Sequence, residues 1–493
     1  MKLLDVLKDV DYELIQGDDH IFVNDIKYDS RKVTAGDMFV AMVGFMVDGH
    51  EYINKAIEQG ASVIVCEKDI EVDSRITVVK VKNCRLTLAT ISRTFFGYPD
   101  KEMTTIGITG TKGKTTTSWT ISKILDYVGK DCGVIGTMGV FFKDKYYHTV
   151  NTSPEAYEVY KYMREMLDNG VCYLVMEVSS QSLKLDRFKD MVFDYAVFTN
   201  LSIDHIGKDE HSSYEEYAYC KSKLFRQCKC GIFNIDDKEY PKMIDGVNID
   251  IYTFGKDNSA NLRLVRCENV REAGFIGIDV VVEGMVNDEF RVSIPGYFNS
   301  YNMLCAICVA HLLGVDNESI KEVLKNISVK GRLEPVCVSD KFSVLIDYAY
   351  QGIAMENVLK TIKDTNPKRI VTVFGCGGNR SRQRRFDCGE ISGKYADLSI
   401  ITADNPRYED NDDIIKDILV GMAKTNGKYV IIGDRREAIK YSIVNAKEGD
   451  VILILGKGHE DYQEIKGVRY PFDERMVIKE ILDSLSDEER SNL

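Results

Sequence analysis

Apolar residues along this chain recur in two rhythms, and their alternation predicts an α/β protein. Short apolar runs bounded by glycine or polar clusters read as buried strands at 62–66, in the run ending Thr104-Thr105-Ile106, at 173–178 and at 193–198. Between them lie helical patterns. One covers 53–59 and stops at Gly60; another carries Trp119, Ile121, Ile124, Leu125 and Val128 and stops at Gly129; a third is the apolar run 302–313. From Ser343 onward four β/α passes are predicted, with helices at 413–423 and 435–446 separating the later ones. Strand–helix alternation of this kind calls for mostly parallel sheets.

A chain of 493 residues is too long for one core. Three domains are expected: a small α/β domain over 1–98, a central mostly parallel sheet over 99–330, and a C-terminal β/α domain over 331–493. Pro99-Asp100-Lys101-Glu102, after the aromatic Phe95-Phe96-Gly97-Tyr98, reads as a linker. Hydrophobic content of 44% and charged content of 29% are those of an ordinary globular protein. With 64 basic and 77 acidic residues the net charge is −13, which argues against a nucleic-acid partner. No apolar run approaches the roughly 18 residues of a membrane span, and Asp5 interrupts any signal core at the start. Thirteen scattered cysteines read as reduced thiols of a cytoplasmic protein, and Cys305 and Cys308 as buried small hydrophobes. A monomer is expected.

The stretch Gly107-Ile108-Thr109-Gly110-Thr111-Lys112-Gly113-Lys114-Thr115-Thr116-Thr117 sits between a strand and a helix. Glycine amides and a helix N-terminus there can wrap phosphates, Lys114 can add charge, and Thr115 can reach Mg²⁺. Nucleotide binding is the expectation. The spacing is not the strict phosphate-loop form, because Ile108 stands where the first glycine would fall. Glu177, at the end of the next predicted strand, is a magnesium-ligand candidate. His205 would converge on the same edge, although imidazole is a less usual ligand for so hard a cation. Ser213-x-x-Glu216 is a capping box opening a helix. On that helix Lys221 lies within the stripe Tyr214, Tyr217, Ala218, Leu224 and Phe225, while Lys223 falls on the wetter side. Lys221 either snorkels or is a desolvated lysine kept near the active centre. In the first region Asp29-Ser30-Arg31 and the loop from Gly44 to His50 are turn chemistry or a site.

In the third region every polar cluster falls just past a predicted strand: Asp347, then Gly375-Cys-Gly377-Gly378-Asn379-Arg380, then Asp404-Asn405-Pro406-Arg407, then Gly456-Lys457-Gly458-His459-Glu460. All can face one crevice. Arg380 and Arg407 with Glu460 suit a zwitterion carrying carboxylates and an amine.

Taken together these motifs resemble the Mur ligases, in consistent order from about residue 25 to 480. The resemblance implies a small uridine-nucleotide-binding α/β domain, a central ATPase-like domain and a Rossmann-like C-terminal domain. It implies an ATP- and Mg²⁺-dependent amide-forming ligase of peptidoglycan synthesis working through an acyl phosphate, with closure of the domains around one site. Gly110, Thr111, Lys112, Gly113, Lys114, Thr115 and Thr116 would hold the phosphates; Asn302, Arg332 and Asp347 would sit on the adenine and ribose side. Thr115, Glu177, His205 and Lys221, the last as a CO₂-derived carbamate, would hold metal. Ser30, Asn151, Thr152, Ser153, Ser180 and Arg187 would bind a UDP-muramoyl-dipeptide. Asp404-Asn405-Pro406-Arg407 has the form of members that add meso-diaminopimelate as opposed to lysine, and Arg380, Gly456 and Glu460 would complete that pocket. The chain departs from the family pattern at Tyr350, Gln181, Ser153 and Asn379, none of them a phosphate or metal ligand. Rival readings are a lysine-adding or otherwise diverged sister ligase, a folylpolyglutamate synthase, and a catalytically silent ATP-binding paralogue.

Overall fold

The computed structural model describes every residue except 45–46, 204–205, 208–209, 273–274, 337 and 487–493. The chain divides into two compact units, Met1–Asn261 with Cys305–Val315, and Leu262–Leu304 with Asp316–Leu493. It is an α/β fold, as the apolar rhythm predicts.

In the first unit β1 (Tyr12–Gln16), β2 (Ile26–Lys27), β3 (Met38–Val40), β4 (Val63–Cys66) and β5 (Thr77–Val81) form a sheet in the order β1-β5-β4-β3-β2. Only the β1–β5 pair is antiparallel. Val63 and Val65 of β4 enter one core, and Ile64 with Cys66 the other. A strand buried on both faces has no polar side, so it reads as a continuous apolar run. The predicted linker is not loose. Residues Pro99–Lys101 make a 3₁₀ turn in which Asp100 is buried and takes a bidentate pair from Arg93, 2.9 and 2.7 Å. Tyr157 donates to Asp25 (2.6 Å) and Tyr28 to Glu158 (2.7 Å), which ties this sheet to the helix Ala156–Asp168.

The same unit holds β6 (Thr104–Thr109), β7 (Cys132–Gly136), β8 (Gly139–Phe142), β9 (Lys145–Tyr147), β10 (Tyr173–Glu177), β11 (Phe193–Phe198), β12 (Cys228–Asn234) and β13 (Asp250–Gly255). Their order is β13-β12-β11-β6-β10-β7-β8-β9, parallel except at β8 and β9. Ile108 is registered against both Glu177 and Val197, so three strands finish together beside Gly110. Helix Lys114–Tyr127 then runs back, buried through Thr116, Thr117, Ser118 and Thr120 as well as Ile121, Ile124 and Leu125. Two of its hydroxyls are satisfied by carbonyls of their own helix, Thr120 by Thr116 at 2.8 Å and Ser118 by Thr115 at 3.1 Å.

The second unit opens with a feature the alternation did not predict. β14 (Leu262–Glu272), β15 (Phe275–Gly284) and β16 (Asp288–Val292) pair antiparallel, with Ile276, Ile278, Val280 and Val282 buried and Phe275, Asp279, Val281 and Glu283 wetter. β17 (Glu334–Val336), β18 (Ser343–Asp347), β19 (Arg369–Phe374), β20 (Leu398–Ile401), β21 (Tyr429–Ile431) and β22 (Asp450–Leu455) follow, in the order β17-β18-β22-β19-β20-β21, with β17 alone antiparallel. Asp347, Phe374 and Ile401 share one register with Leu455, so the polar clusters after them start from one sheet edge. A hairpin of β23 (Tyr462–Ile465) and β24 (Val468–Pro471) completes the fold. No described helix is long and apolar enough to cross a membrane.

Candidate active site

Two residues explain the unusual spacing of the phosphate loop. Ile108 belongs to the strand and is fully buried, so the loop begins only at Gly110. Gly110 has φ +154°, and a Cβ there would lie 1.9 Å from Thr199 Oγ1; Gly113 caps the helix at φ +87°. Neither position tolerates a side chain. The loop is braced from β11's end: Asn200 accepts from Lys112 N (3.0 Å) and donates to Lys112 O (3.0 Å), while Thr199 donates to Lys112 O (2.7 Å). Lys114 Nζ curls over the loop, donating to Gly110 O (2.8 Å) and Thr111 O (3.2 Å). Thr111 meets the Tyr217 hydroxyl at 3.1 Å, and Thr116 is buried behind it.

Glu177 comes to the helix start as expected. It is 1% exposed and accepts from Thr115 Oγ1 at 3.1 Å. Thr137, which the sequence did not single out, donates to both carboxylate oxygens, through its amide (3.0 Å) and its hydroxyl (3.1 Å). A buried all-oxygen set of this kind suits a hard cation such as Mg²⁺. His205 lies outside the described residues. Lys221 is 1% exposed, reaching Gly110 O at 2.8 Å across the face of Tyr217, 4.7 Å from its centroid. Lys223 instead faces outward to Asp186 at 3.0 Å. The capping box is only half made: Ser213 accepts from Glu216 N (3.2 Å), but the Glu216 carboxylate turns to Ser212 N (2.6 Å) and to Lys184 (2.8 Å). The helix ends at Ser222, and Leu224 and Phe225 fill the core from a 3₁₀ turn.

Residues expected at the UDP-substrate end gather beside Glu177. Ser153 donates to Glu177 O (2.9 Å), Thr152 meets Thr137 (3.1 Å), and Arg187 holds Ser153 O (2.6 Å) and Glu155 (2.5 Å). Asn151 is exposed next to them. Ser180 bonds His211, a buried imidazole missed in the sequence, at 2.9 Å. Ser30 is buried in the first sheet's region, in a 3₁₀ turn capped by Asp29. In the loop from Gly44 to His50, Asp48 binds His50 Nδ1 at 2.6 Å and also pairs with Lys68; residues 45–46 lie outside the described part.

In the second unit the clusters after β18, β19, β20 and β22 converge. Asn405 donates to Glu460 Oε2 (2.8 Å), and its Oδ1 accepts from Lys457 Nζ (3.0 Å) and Glu464 N (2.9 Å). Arg407 donates to Gly378 O (2.7 Å) and lies 3.4 Å from Glu464; its backbone holds φ +53°, a costly conformation for a residue with a side chain. Arg380 is exposed and borders Gly377, as Arg407 does. Gly456, at φ +112°, leaves space that Asp404 occupies: a Cβ would meet that carboxylate at 2.5 Å. Pro406 packs its carbonyl onto Gly378. Asn379 also has φ +53° and accepts from Tyr408 N at 3.2 Å.

The residues expected on the adenine and ribose side have local partners. Asp347 accepts from Leu333 N and Ala349 N, both 2.8 Å; burial raises its carboxyl, against the pull of Arg332. Arg332 lies 5.6 Å from the Tyr348 ring centroid, and Asn302 is buried against Asn299 at 2.8 Å. His459 packs against Tyr348 with the rings tilted by 50° and centroids 4.5 Å apart; burial, then the charges of Arg332, Lys330 and Arg475, push its imidazole down to about 4.

Three family models match the sequence: "Mur ligase family, catalytic domain" over 23–95, "Mur ligase middle domain" over 108–310, and "Mur ligase, glutamate ligase domain" over 331–458. The UDP-N-acetylmuramoyl-L-alanyl-D-glutamate--2,6-diaminopimelate ligase of Caldanaerobacter subterraneus subsp. tengcongensis is 41% identical over 98% of this chain and 99% of its own. The protein of the same name from Clostridium perfringens is 39% identical over 98% of this chain and 100% of its own. A solved structure of a ligase of that name superposes with TM-score 0.72 at 26% identity, covering 98% of this chain and 99% of that one.

Proposed function

The chain belongs to the Mur ligase family, and we propose that it joins meso-2,6-diaminopimelate to UDP-N-acetylmuramoyl-L-alanyl-D-glutamate at the expense of ATP, in peptidoglycan synthesis. The observation that carries this reading is the Arg407–Asn405–Glu460 cradle. It offers a cation for a carboxylate and an anion for an ammonium on one loop system, as a second amino-acid centre requires. Residues 331–493 would receive the amino acid, 99–330 the ATP and 1–98 the uridine end. A cytoplasmic site of action fits those substrates.

The γ-phosphate would lie against the amides of 110–116 and the helix N-terminus, with the Lys114 ammonium drawing off charge as the phosphoryl group moves. The acceptor carboxylate attacks phosphorus in line, and ADP leaves. The amine of the incoming amino acid then attacks the acyl carbon; the tetrahedral intermediate collapses to amide and phosphate. Thr115 and Glu177, with His205 and a carbamate formed on Lys221, would hold Mg²⁺, which supplies Lewis-acid charge to the phosphoryl oxygens when bound. The Lys221 amine is buried beside the loop, 2.8 Å from Gly110 O, where a carbamate would face the phosphates. Ser30, Asn151, Thr152, Ser153, Ser180 and Arg187 would line the path of the UDP-substrate. Asn302, Arg332 and Asp347 would flank the nucleoside.

Phosphate release tests the reading. With ATP, Mg²⁺ and the UDP-muramoyl-dipeptide present, meso-diaminopimelate is expected to trigger release and L-lysine is not. Release with lysine in its place would assign a lysine-adding ligase, and silence with every amino acid would overturn the enzyme.

A further inference from the structure

Among the described residues of the second unit, Lys457 stands out as a fully buried ammonium at 0% exposure inside a cluster that the substrate itself would complete. Its Nζ lies 3.0 Å from Asn405 Oδ1 and 3.4 Å from Glu460 Oε2, over the Tyr462 ring at 5.5 Å. Asn405 has two chemically opposite ends, and a free amide could turn either one toward Glu460. Here Oδ1 is claimed twice by donors, Lys457 Nζ and the Glu464 amide, neither of which can accept. The Nδ2 end is therefore forced onto Glu460 Oε2, at 2.8 Å. Oε2 is thus satisfied by Asn405 and Lys457, while Oε1, among the described residues, meets the Tyr348 hydroxyl at 3.5 Å. One carboxylate oxygen is held and the other is left directed for a new donor.

We propose that Lys457 is a positioning residue: it locks the Asn405 amide in one orientation and orients Glu460, so that Glu460 Oε1 is preset for the ammonium of a second amino-acid centre. The inference rests on the amino-acid-adding reading and deepens it by naming the residue that would preset the pocket for an amino acid with a distal ammonium and carboxylate. Gly456 and Gly458, both with positive φ, fold the loop so that the Lys457 side chain points inward. Lys457 would not touch the substrate; its effect passes through Asn405 and Glu460.

The test is a steady-state comparison of wild type with Lys457→Met and Lys457→Arg, varying each substrate in turn. Losing a charge-assisted hydrogen bond that orients two groups is expected to raise the KM for diaminopimelate about tenfold to a hundredfold in Lys457→Met. The KM values for ATP and for the UDP-substrate should stay within about twofold, because uncoupled sites respond independently. Lys457→Arg should recover part of the loss. In a Glu460→Gln background Lys457→Met should add little. An unchanged diaminopimelate KM in Lys457→Met, or equal losses for all three substrates in both variants, would overturn the role. If Lys457→Met does not fold, Lys457→Arg carries the same comparison. Wild type active with another amino acid only would overturn the diaminopimelate reading, and the KM comparison would then be made with that amino acid.

Discussion

At the phosphate loop the geometry is set by backbone: residues 110–115 turn on two glycines, and Asn200 clamps their peptide groups. At the cradle it is set by side chains drawn from segments near 378, 405, 457 and 460, held by an amide, an ammonium and a carboxylate. A site built from backbone is compact in sequence and tolerant of its neighbours. A site built from distant side chains depends on strand register, here the common finish of β18, β19, β20 and β22, and can be retuned for a new ligand by one substitution.

The contrast sets the order of expected losses. Lys114→Ala leaves the loop's amides in place but removes the cation proposed to face the γ-phosphate, and phosphate release should fall by roughly a thousandfold. Lys221→Ala should cost about a hundredfold if the lysine serves as a metal-holding carbamate, and short carboxylic acids should restore part of the rate. Full activity without rescue would reduce Lys221 to a buried strut. Arg407→Ala should raise the KM for the amino acid by about tenfold to a hundredfold while leaving that for ATP unchanged; equal effects on both would erase the distinction between the two sites.

The smallest effect concerns stability. Burial and the neighbouring positive charges push the His459 imidazole down to about 4, against an ordinary 6.5. Its neutral form is favoured by folding, so its contribution is complete above 6.5 and is lost as the pH falls from there toward 4. Thermal melts should show the midpoint dropping over that window, and His459→Phe, which keeps a ring against Tyr348, should drop less.

Legibility follows the same contrast. Gly110, Gly113, Lys114 and Thr115 were readable because loop, strand and helix are adjacent in the chain. Glu177 and the four clusters of the last sheet were readable because parallel strands deliver their carboxyl ends to one edge. Thr137 was not, since its approach to Glu177 depends on β7 lying beside β10, which local spacing does not encode. The helix Arg382–Tyr395 carries no apolar stripe: its buried side is Arg385, Cys388, Gly389 and Ser392. It packs through glycine, with Gly389 against Ile418 O and Gly421 of the neighbouring helix against Phe386 O. The antiparallel β14–β16 ribbon escaped because its alternation lies within a segment read as parallel.

The central claim, that a carboxylate is energised by ATP and captured by an amine, is tested most directly by isotope transfer. The acceptor carboxylate of the UDP-muramoyl-dipeptide would be labelled with heavy oxygen and the released phosphate analysed by mass spectrometry after a single turnover with diaminopimelate. One labelled oxygen is expected in phosphate and the other in the new amide. Unlabelled phosphate alongside amide product would contradict it.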